Sequence, residues 1–212
     1  MRRERVIVYV DGFNLYYGAV KGTAFKWLNL RALCQRLMRP SDELLAIKYY
    51  TALISARPHD LEAPIRQQMY LRALKTIPNL SVHYGHFLSH PVRMPLAASV
   101  ASGNIEYVEV LKTEEKGSDV NLASHLLRDA YTDRFSLAVV VSNDSDLAEP
   151  IRIVRQELGM RVGVWNPQRN PSRVLQRHAD FFKKIRGQTL CECQFAPTLR
   201  DEHGTFYKPQ VW

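Results

Sequence analysis

The chain has 212 residues, enough for one substantial domain with at most a small appendage. Hydrophobic residues at 46% and charged residues at 24% are the make-up of a globular protein and exclude a disordered or fibrous one. A formal charge of +8 points to an anionic partner, and three cysteines are too few and too badly spaced for a disulfide framework.

Residues 5–10 read as the first buried strand, a run of β-branched and aromatic side chains that stops at Asp11-Gly12. The charged start, Met1 to Arg5, is followed by too short an apolar run for a signal peptide. Nothing later reaches membrane-spanning length. With the cysteine usage, the expectation is a cytoplasmic, reducing setting. Asn29 is placed to cap a helix with Leu30, Leu33, Cys34, Leu37 and Met38 on one face, stopped by Pro40. A second strand is expected over 44–53, a helix over 60–77 with Pro64 in its first turn, and a third strand over 80–88. Residues 89–103 read as a loop or hairpin arm, and 105–110 as a half-exposed strand. A helix over 119–131 carries Val120, Ala123, Leu126, Leu127 and Ala130. Then come a buried strand over 136–141, a helix over 146–158 ended by Gly159, a strand over 160–165 and a basic helix from about Pro171. Residues 1–186 make the domain; the tail, 187–212, has no period and is expected to dock on the body or pair with another chain, which leaves a homodimer open. Strands alternating with helices predict an α/β layer fold with a mainly parallel sheet.

Two strands end in acids. The first delivers Asp11, and the run 137–141 enters Ser142-Asn143-Asp144-Ser145-Asp146. Asp119 follows Gly117-Ser118 at a helix start. Taken singly, each has a plain role as a turn or cap residue. Taken jointly, all three segments open on the carboxyl edge of one sheet, where α/β folds keep their functional crevice. Two carboxylates about 4 Å apart repel by roughly 4 kcal/mol at an effective dielectric of 20. Such a group must take up protons or a cation, and all-oxygen ligands favour Mg²⁺ or Mn²⁺. Other acidic-sheet chemistries fit less well. A haloacid-dehalogenase-type phosphatase needs an Asp where Phe13 stands, a dinucleotide fold needs GxGxxG after the first strand, and a Toprim-like nuclease needs a Glu where Asp11 stands. Metal-assisted hydrolysis without a covalent intermediate remains. Between Ile151 and Arg186, nine basic residues face two acids, a cluster suited to nucleic acid.

The segments Asp11-Gly12-Phe13-Asn14, then Glu115 to Ala123, then Ser142 to Leu147 resemble, in order and separation, the three signature segments of NYN domains (LabA-like, within the PIN-like nuclease superfamily). The resemblance spans residues 5–185. It implies a PIN-like three-layer α/β/α sandwich and a Mg²⁺- or Mn²⁺-dependent endoribonuclease. By motif position it implies Asp11, Asp119, Asp144 and Asp146 as metal-site acids, with Asn14 orienting Asp11 or the scissile phosphate. Two positions depart from the pattern: His125 stands where many relatives carry an Asp, and Asn143 replaces a common Gly. His125 is read as a half-buried helix histidine, with a phosphate-holding or proton-carrying role as the other option.

The expected reaction is hydrolysis of single-stranded or looped RNA to 5′-phosphate and 3′-hydroxyl ends. Ser142 is expected to hydrogen-bond the water or a carboxylate, and Lys116, Arg152, Arg155, Arg169 and Arg173 to contact the RNA backbone. Tyr16, Tyr17 and Trp165 are candidates for base stacking or for core packing. Three alternatives stay open: a non-catalytic RNA-binding module on the same fold, a metal-dependent DNase, and a structural zinc at Cys191 and Cys193 with His203 or Cys34.

Overall fold

A computed structural model describes residues 3–58, 60–103 and 105–212. β1 (Arg5–Asp11) is buried along all but its first residue. α1 (Gly12–Leu15) follows at once and runs on as a π-helical turn over Tyr16–Val20. α2 (Leu30–Leu37) begins where the Asn29 side chain accepts the N–H groups of Arg31 and Ala32, and it buries Leu30, Leu33 and Cys34. β2 (Glu43–Thr51), α3 (Ala63–Lys75) and β3 (Leu80–Tyr84) complete the first half. After an excursion formed by β4 (His86–Pro95), α4 (Ala97–Ser102) and β5 (Tyr107–Lys116), the chain returns through α5 (Ser118–Tyr131) to β6 (Leu137–Val141). A 3₁₀ turn (Ser145–Leu147) leads into α6 (Ala148–Arg152), which loosens into a second π-helical turn over Ile153–Glu157. β7 (Arg161–Asn166), α7 (Arg173–His178), β8 (Phe181–Lys184), α8 (Gly187–Glu192) and a hairpin of β9 (Thr198–Asp201) with β10 (Gly204–Tyr207) finish the chain.

The central sheet has six strands in the order β3-β2-β1-β6-β7-β8, and every pairing in it is parallel. Alternate residues of β1 face two separate cores. Val6, Val8 and Val10 pack with Trp27, α2, α3 and the C-terminal residues Phe195 and Phe206. Ile7 and Tyr9 pack against Leu122 and Leu126 of α5 and Ile151 of α6. Helices thus cover both faces, as a parallel sheet requires, and the expected three-layer α/β/α sandwich is what forms. The strand order reverses between β1 and β6. In an open α/β sheet the crevice opens at the carboxyl ends of the strands at that reversal. Asp11 ends β1 and Ser142 follows β6 there.

Three sequence expectations differ from the structure. The strand expected over 80–88 breaks at Gly85, where the last bond to the central sheet is made to the Thr51 carbonyl. A Cβ at Gly85 would lie 2.3 Å from a Glu115 oxygen and 2.5 Å from the Lys116 carbonyl, so only glycine lets the outgoing and returning chains meet this closely. Beyond it the chain forms the antiparallel β4–β5 ribbon, the arm foreseen for 89–103, with more strand and an added helix. The basic segment after Pro171 is only partly helical. It yields α7 and then β8, an edge strand whose Lys183 and Lys184 face solvent and hide the strand pattern. No helix among the described residues is long and apolar enough to cross a membrane.

Candidate active site

Asp11 ends a strand and opens a helix, so its backbone cannot shift without moving both. It is only 4% exposed. One carboxylate oxygen accepts the Asn14 N–H at 2.9 Å, and the other accepts the Ser142 hydroxyl at 2.9 Å. The Ser142 hydroxyl oxygen in turn accepts the Asp144 N–H at 3.0 Å, and Asp144 accepts the Asp146 N–H at 3.0 Å. Asp11 and Asp144 are thus the N-caps of the helical turns that follow them, whereas the sequence pattern offers Asp11 as a turn residue and Ser145 or Asp146 as the second cap. Asp119 caps nothing; it lies in the first turn of α5, half-buried.

Asn14 ties the two strand ends together. Its side-chain oxygen accepts the Asn143 N–H at 3.0 Å, with Gln168 at 3.4 Å on the same oxygen. Asn143 then fixes the loop after β7. Its side chain donates to the Asn170 carbonyl at 2.9 Å and accepts the Ser172 N–H at 2.7 Å. The departure from glycine at 143 thus adds two side-chain contacts that a glycine lacks. Gly12 permits the start of α1, since a Cβ there would sit 2.6 Å from the Tyr49 ring and from the Tyr50 carbonyl.

The electrostatics place the acids within each other's field. Burial pushes the Asp11 carboxyl up to about 7, with Asp119 and Asp144 adding to it against the donors Asn14 and Ser142. Asp119 is also raised, by burial first and then by Asp144, Glu115 and Asp146. Asp146 stands exposed at the rim. Glu115 is a member of this group that the sequence reading passed over. It caps α5 by accepting the Ser118 N–H at 3.0 Å and the Ser118 hydroxyl at 2.8 Å. Its place at the head of the second signature segment was the available signal.

The donor set around Asp11 is all oxygen and net negative, which suits a hard divalent ion. Among the described residues no three Asp, Glu, His or Cys side chains close into a ready-made cage. That is compatible with Mg²⁺, which keeps several waters and is bound through one or two carboxylates together with substrate phosphates.

The basic candidates divide. The Arg169 carbonyl accepts the Lys184 ammonium, and Arg173 begins α7 directly after Ser172; both are exposed and lie in the segment pinned by Asn143, the residue before Asp144. Lys116 closes β5 three residues before Asp119 and pairs with Glu114 at 3.3 Å. Arg152 is held by Glu149 and Glu157. Arg155 pairs with Asp180 at 2.9 Å, and Asp180 binds Val162 at the start of β7. That is the amino edge of the sheet, so the structure does not bring Arg155 to the acids.

Of the stacking candidates, Trp165 is buried in the core, Tyr17 is exposed, and Tyr16 is half-buried with its ring edge-on to Tyr17. His125 is half-buried on α5. Its Nδ1 lies 3.0 Å from the Tyr50 hydroxyl, and its ring packs 4.6 Å from that of His83. Burial lowers His125, and burial with His125 and Lys48 pushes His83 down to about 4. Cys34 and Cys193 pack in the apolar core within each other's field and Cys191 is exposed; among the described residues no third His, Cys, Asp or Glu joins them in a metal-binding group.

The NYN domain profile matches residues 5–186. A 6-hydroxy-3-succinoylpyridine 3-monooxygenase from Pseudomonas putida is 28% identical, over 98% of this chain and 75% of that protein. A crystal structure of a protein of unknown function from Vibrio parahaemolyticus superposes with a TM-score of 0.57 at 18% identity, covering 88% of this chain and 97% of that one.

Proposed function

The chain belongs to the NYN domain family, which points to a nuclease-type hydrolase of the PIN-like superfamily acting on nucleic acid, and on that premise we propose that it is a divalent-metal-dependent endoribonuclease. The observation that carries the reading is Asp11, buried at the strand-order reversal and raised to about 7 beside Asp119 and Asp144. A carboxylate that burial and its neighbours disfavour as an anion is one that gains most from a cation.

Asp11, Asp119 and Asp144 would hold Mg²⁺ or Mn²⁺, with Asp146 at the rim. When bound, the ion supplies neutralisation of phosphate charge and a water of lowered pKa. The residues of the chain do the rest. The Ser142 hydroxyl donates a hydrogen bond to Asp11 and accepts one from the Asp144 N–H, so one hydroxyl fixes the spacing of two acids. Asn14 locks the end of β1 to the loop after β6, which keeps that spacing rigid. Lys116, Arg169 and Arg173 flank the acids and track the phosphate backbone of a single strand or loop. In-line attack of water on phosphorus expels the 3′ oxygen, leaving 5′-phosphate and 3′-hydroxyl ends. Arg152 and Arg155 take no part in the track.

The test incubates the protein with matched single-stranded, hairpin and duplex RNA and with DNA of the same sequence, in Mg²⁺, Mn²⁺ or EDTA, alongside Asp11→Asn. Cleavage of the RNA strand that needs the metal and Asp11 is expected. Cutting that persists in EDTA overturns the mechanism; cutting of DNA alone overturns the ribose preference; salt-sensitive binding without turnover makes the chain a binding module.

A second reading has one observation behind it, the 28% identity to a monooxygenase over nearly the whole chain. It predicts hydroxylation of a small pyridine acid with consumption of O₂ and a two-electron reductant, measured by oxygen uptake.

A further inference from the structure

The carboxyl edge carries a second recess that the acids do not use. A cavity of about 390 Å³ lies on the face of the sheet opposite α5, bordered by Gly12 and Phe13, the two residues after Asp11. That volume is in the range of sites for small organic groups. Its walls include Tyr16, Tyr49, Tyr70 and Trp212. These rings are held in place. The Tyr70 hydroxyl donates to the Leu28 carbonyl at 2.9 Å, and the Trp212 ring packs 5.7 Å from Tyr70 and 5.5 Å from Trp27. Tyr49 meets Tyr70 edge-on at 6.4 Å.

The mouth is cationic. Lys21, Lys26, Arg57 and Arg66 line it against one carboxylate, Asp60. Arg66 is engaged by Asp60, and Lys21 lies 4.7 Å from the centre of the Tyr17 ring. Lys26 and Arg57 make no ion pair among the described residues. An aromatic slot with positive charge at its lip fits a flat ring that carries a nearby anion. A nucleotide has that chemistry, and so has a free aromatic acid. Continuity favours the nucleotide. The cavity begins at the residues that follow Asp11, so a strand with its phosphate at the acids brings a neighbouring base to this opening.

We propose that this cavity receives the nucleobase next to the scissile phosphate, stacked among Tyr16, Tyr49 and Trp212, with the adjoining phosphate at Lys26 and Arg57. The proposal rests on the nuclease reading and adds to it a base-holding site that makes unpaired nucleotides the preferred substrate.

The test uses a short single-stranded RNA and a set of copies each carrying one abasic ribose near the cut. Cleavage is followed in Mn²⁺, and binding is followed by anisotropy in EDTA. One abasic position beside the cut is expected to lower kcat/KM and affinity by about tenfold, and the others to have little effect. Tyr16→Ala should erase the difference between intact and abasic strands, and Lys26→Ala should weaken both strands equally while reducing the salt dependence of binding. Equal behaviour of all abasic copies overturns the base site while leaving the nuclease reading intact. Absence of any cleavage overturns the nuclease reading, and equal affinity of intact and abasic strands then overturns the base site as well. Saturable binding of pyridine-3-carboxylate that intact RNA does not displace assigns the cavity to a free acid and overturns the proposal.

Discussion

Asp11 and Asp129 are equally hidden, at 4% and 3% exposure, and are treated in opposite ways. Asp129 lies near the end of α5, on its buried face, with the ammonium of Lys48 against it, the Tyr9 hydroxyl donating at 2.8 Å and the Arg128 guanidinium at 2.9 Å. Those partners outweigh its burial and hold its carboxyl below the usual range. Asp11 has two neutral donors and two acidic neighbours, and is raised to about 7. A buried carboxylate that serves the fold is given countercharge by the chain; one left short of it, as Asp11 is, has the character expected of the proposed active-site acid.

Substitution of each acid by its amide breaks the comparison most sharply. Asp11→Asn should lower RNA cleavage by roughly 10³-fold, the size of losing a charge-stabilising group at a reacting centre. The same change should stabilise the metal-free fold. The folded value of Asp11 lies above its unfolded value, so the folded chain binds that proton more tightly. The cost of ionising it is absent below about pH 4, grows as the pH rises through 7 and is complete above it. At pH 8, urea unfolding should therefore show Asp11→Asn more stable by roughly 2–4 kcal/mol. Asp129→Asn should do the reverse, costing about 3–5 kcal/mol, because it leaves Lys48 buried without its partner. Its contribution is present at neutral pH and is lost in acid, as its lowered carboxyl is forced to protonate.

A smaller effect sharpens the same contrast. Mn²⁺ should raise the melting temperature at pH 8 by several degrees, less at pH 5, and not in Asp11→Asn. Ser142→Ala removes one donor to Asp11 and should cost about 1 kcal/mol of stability with a modest loss of cleavage. Smallest of all, Arg173→Ala should weaken RNA binding and reduce the salt slope by about 1, whereas Arg155→Ala should leave both unchanged. Titration of binding against salt separates the two.

The parts legible in the sequence are those with a local cause. An apolar run that halts at an acid reads as a buried strand with its end at the sheet edge, and both Asp11 and Asp144 are found this way. Layer order follows from alternation of strands and helices. What escaped depends on contacts distant in sequence. Nothing near Arg155 says that Asp180 will hold it at the far edge of the sheet, so a basic cluster in sequence divides into two groups in space. Glu115 escaped for another reason: it alternates in a half-exposed strand like any surface residue, although it stands only four residues before Asp119. The break at Gly85 is set by Glu115 and Lys116, some thirty residues away, and β8 is disguised by lysines that face water.

The arm that departs at Gly85 and rejoins at Lys116 has a consequence for how such a chain can vary. Its two feet touch, so the six parallel strands are closed without it. Descendants of this architecture are free to lengthen, shorten or redecorate the ribbon and keep the same hearth of aspartates. One foot, however, is the step before Asp119. A change out on the ribbon is thereby coupled, through a single crowded glycine, to the start of α5 and to Asp119.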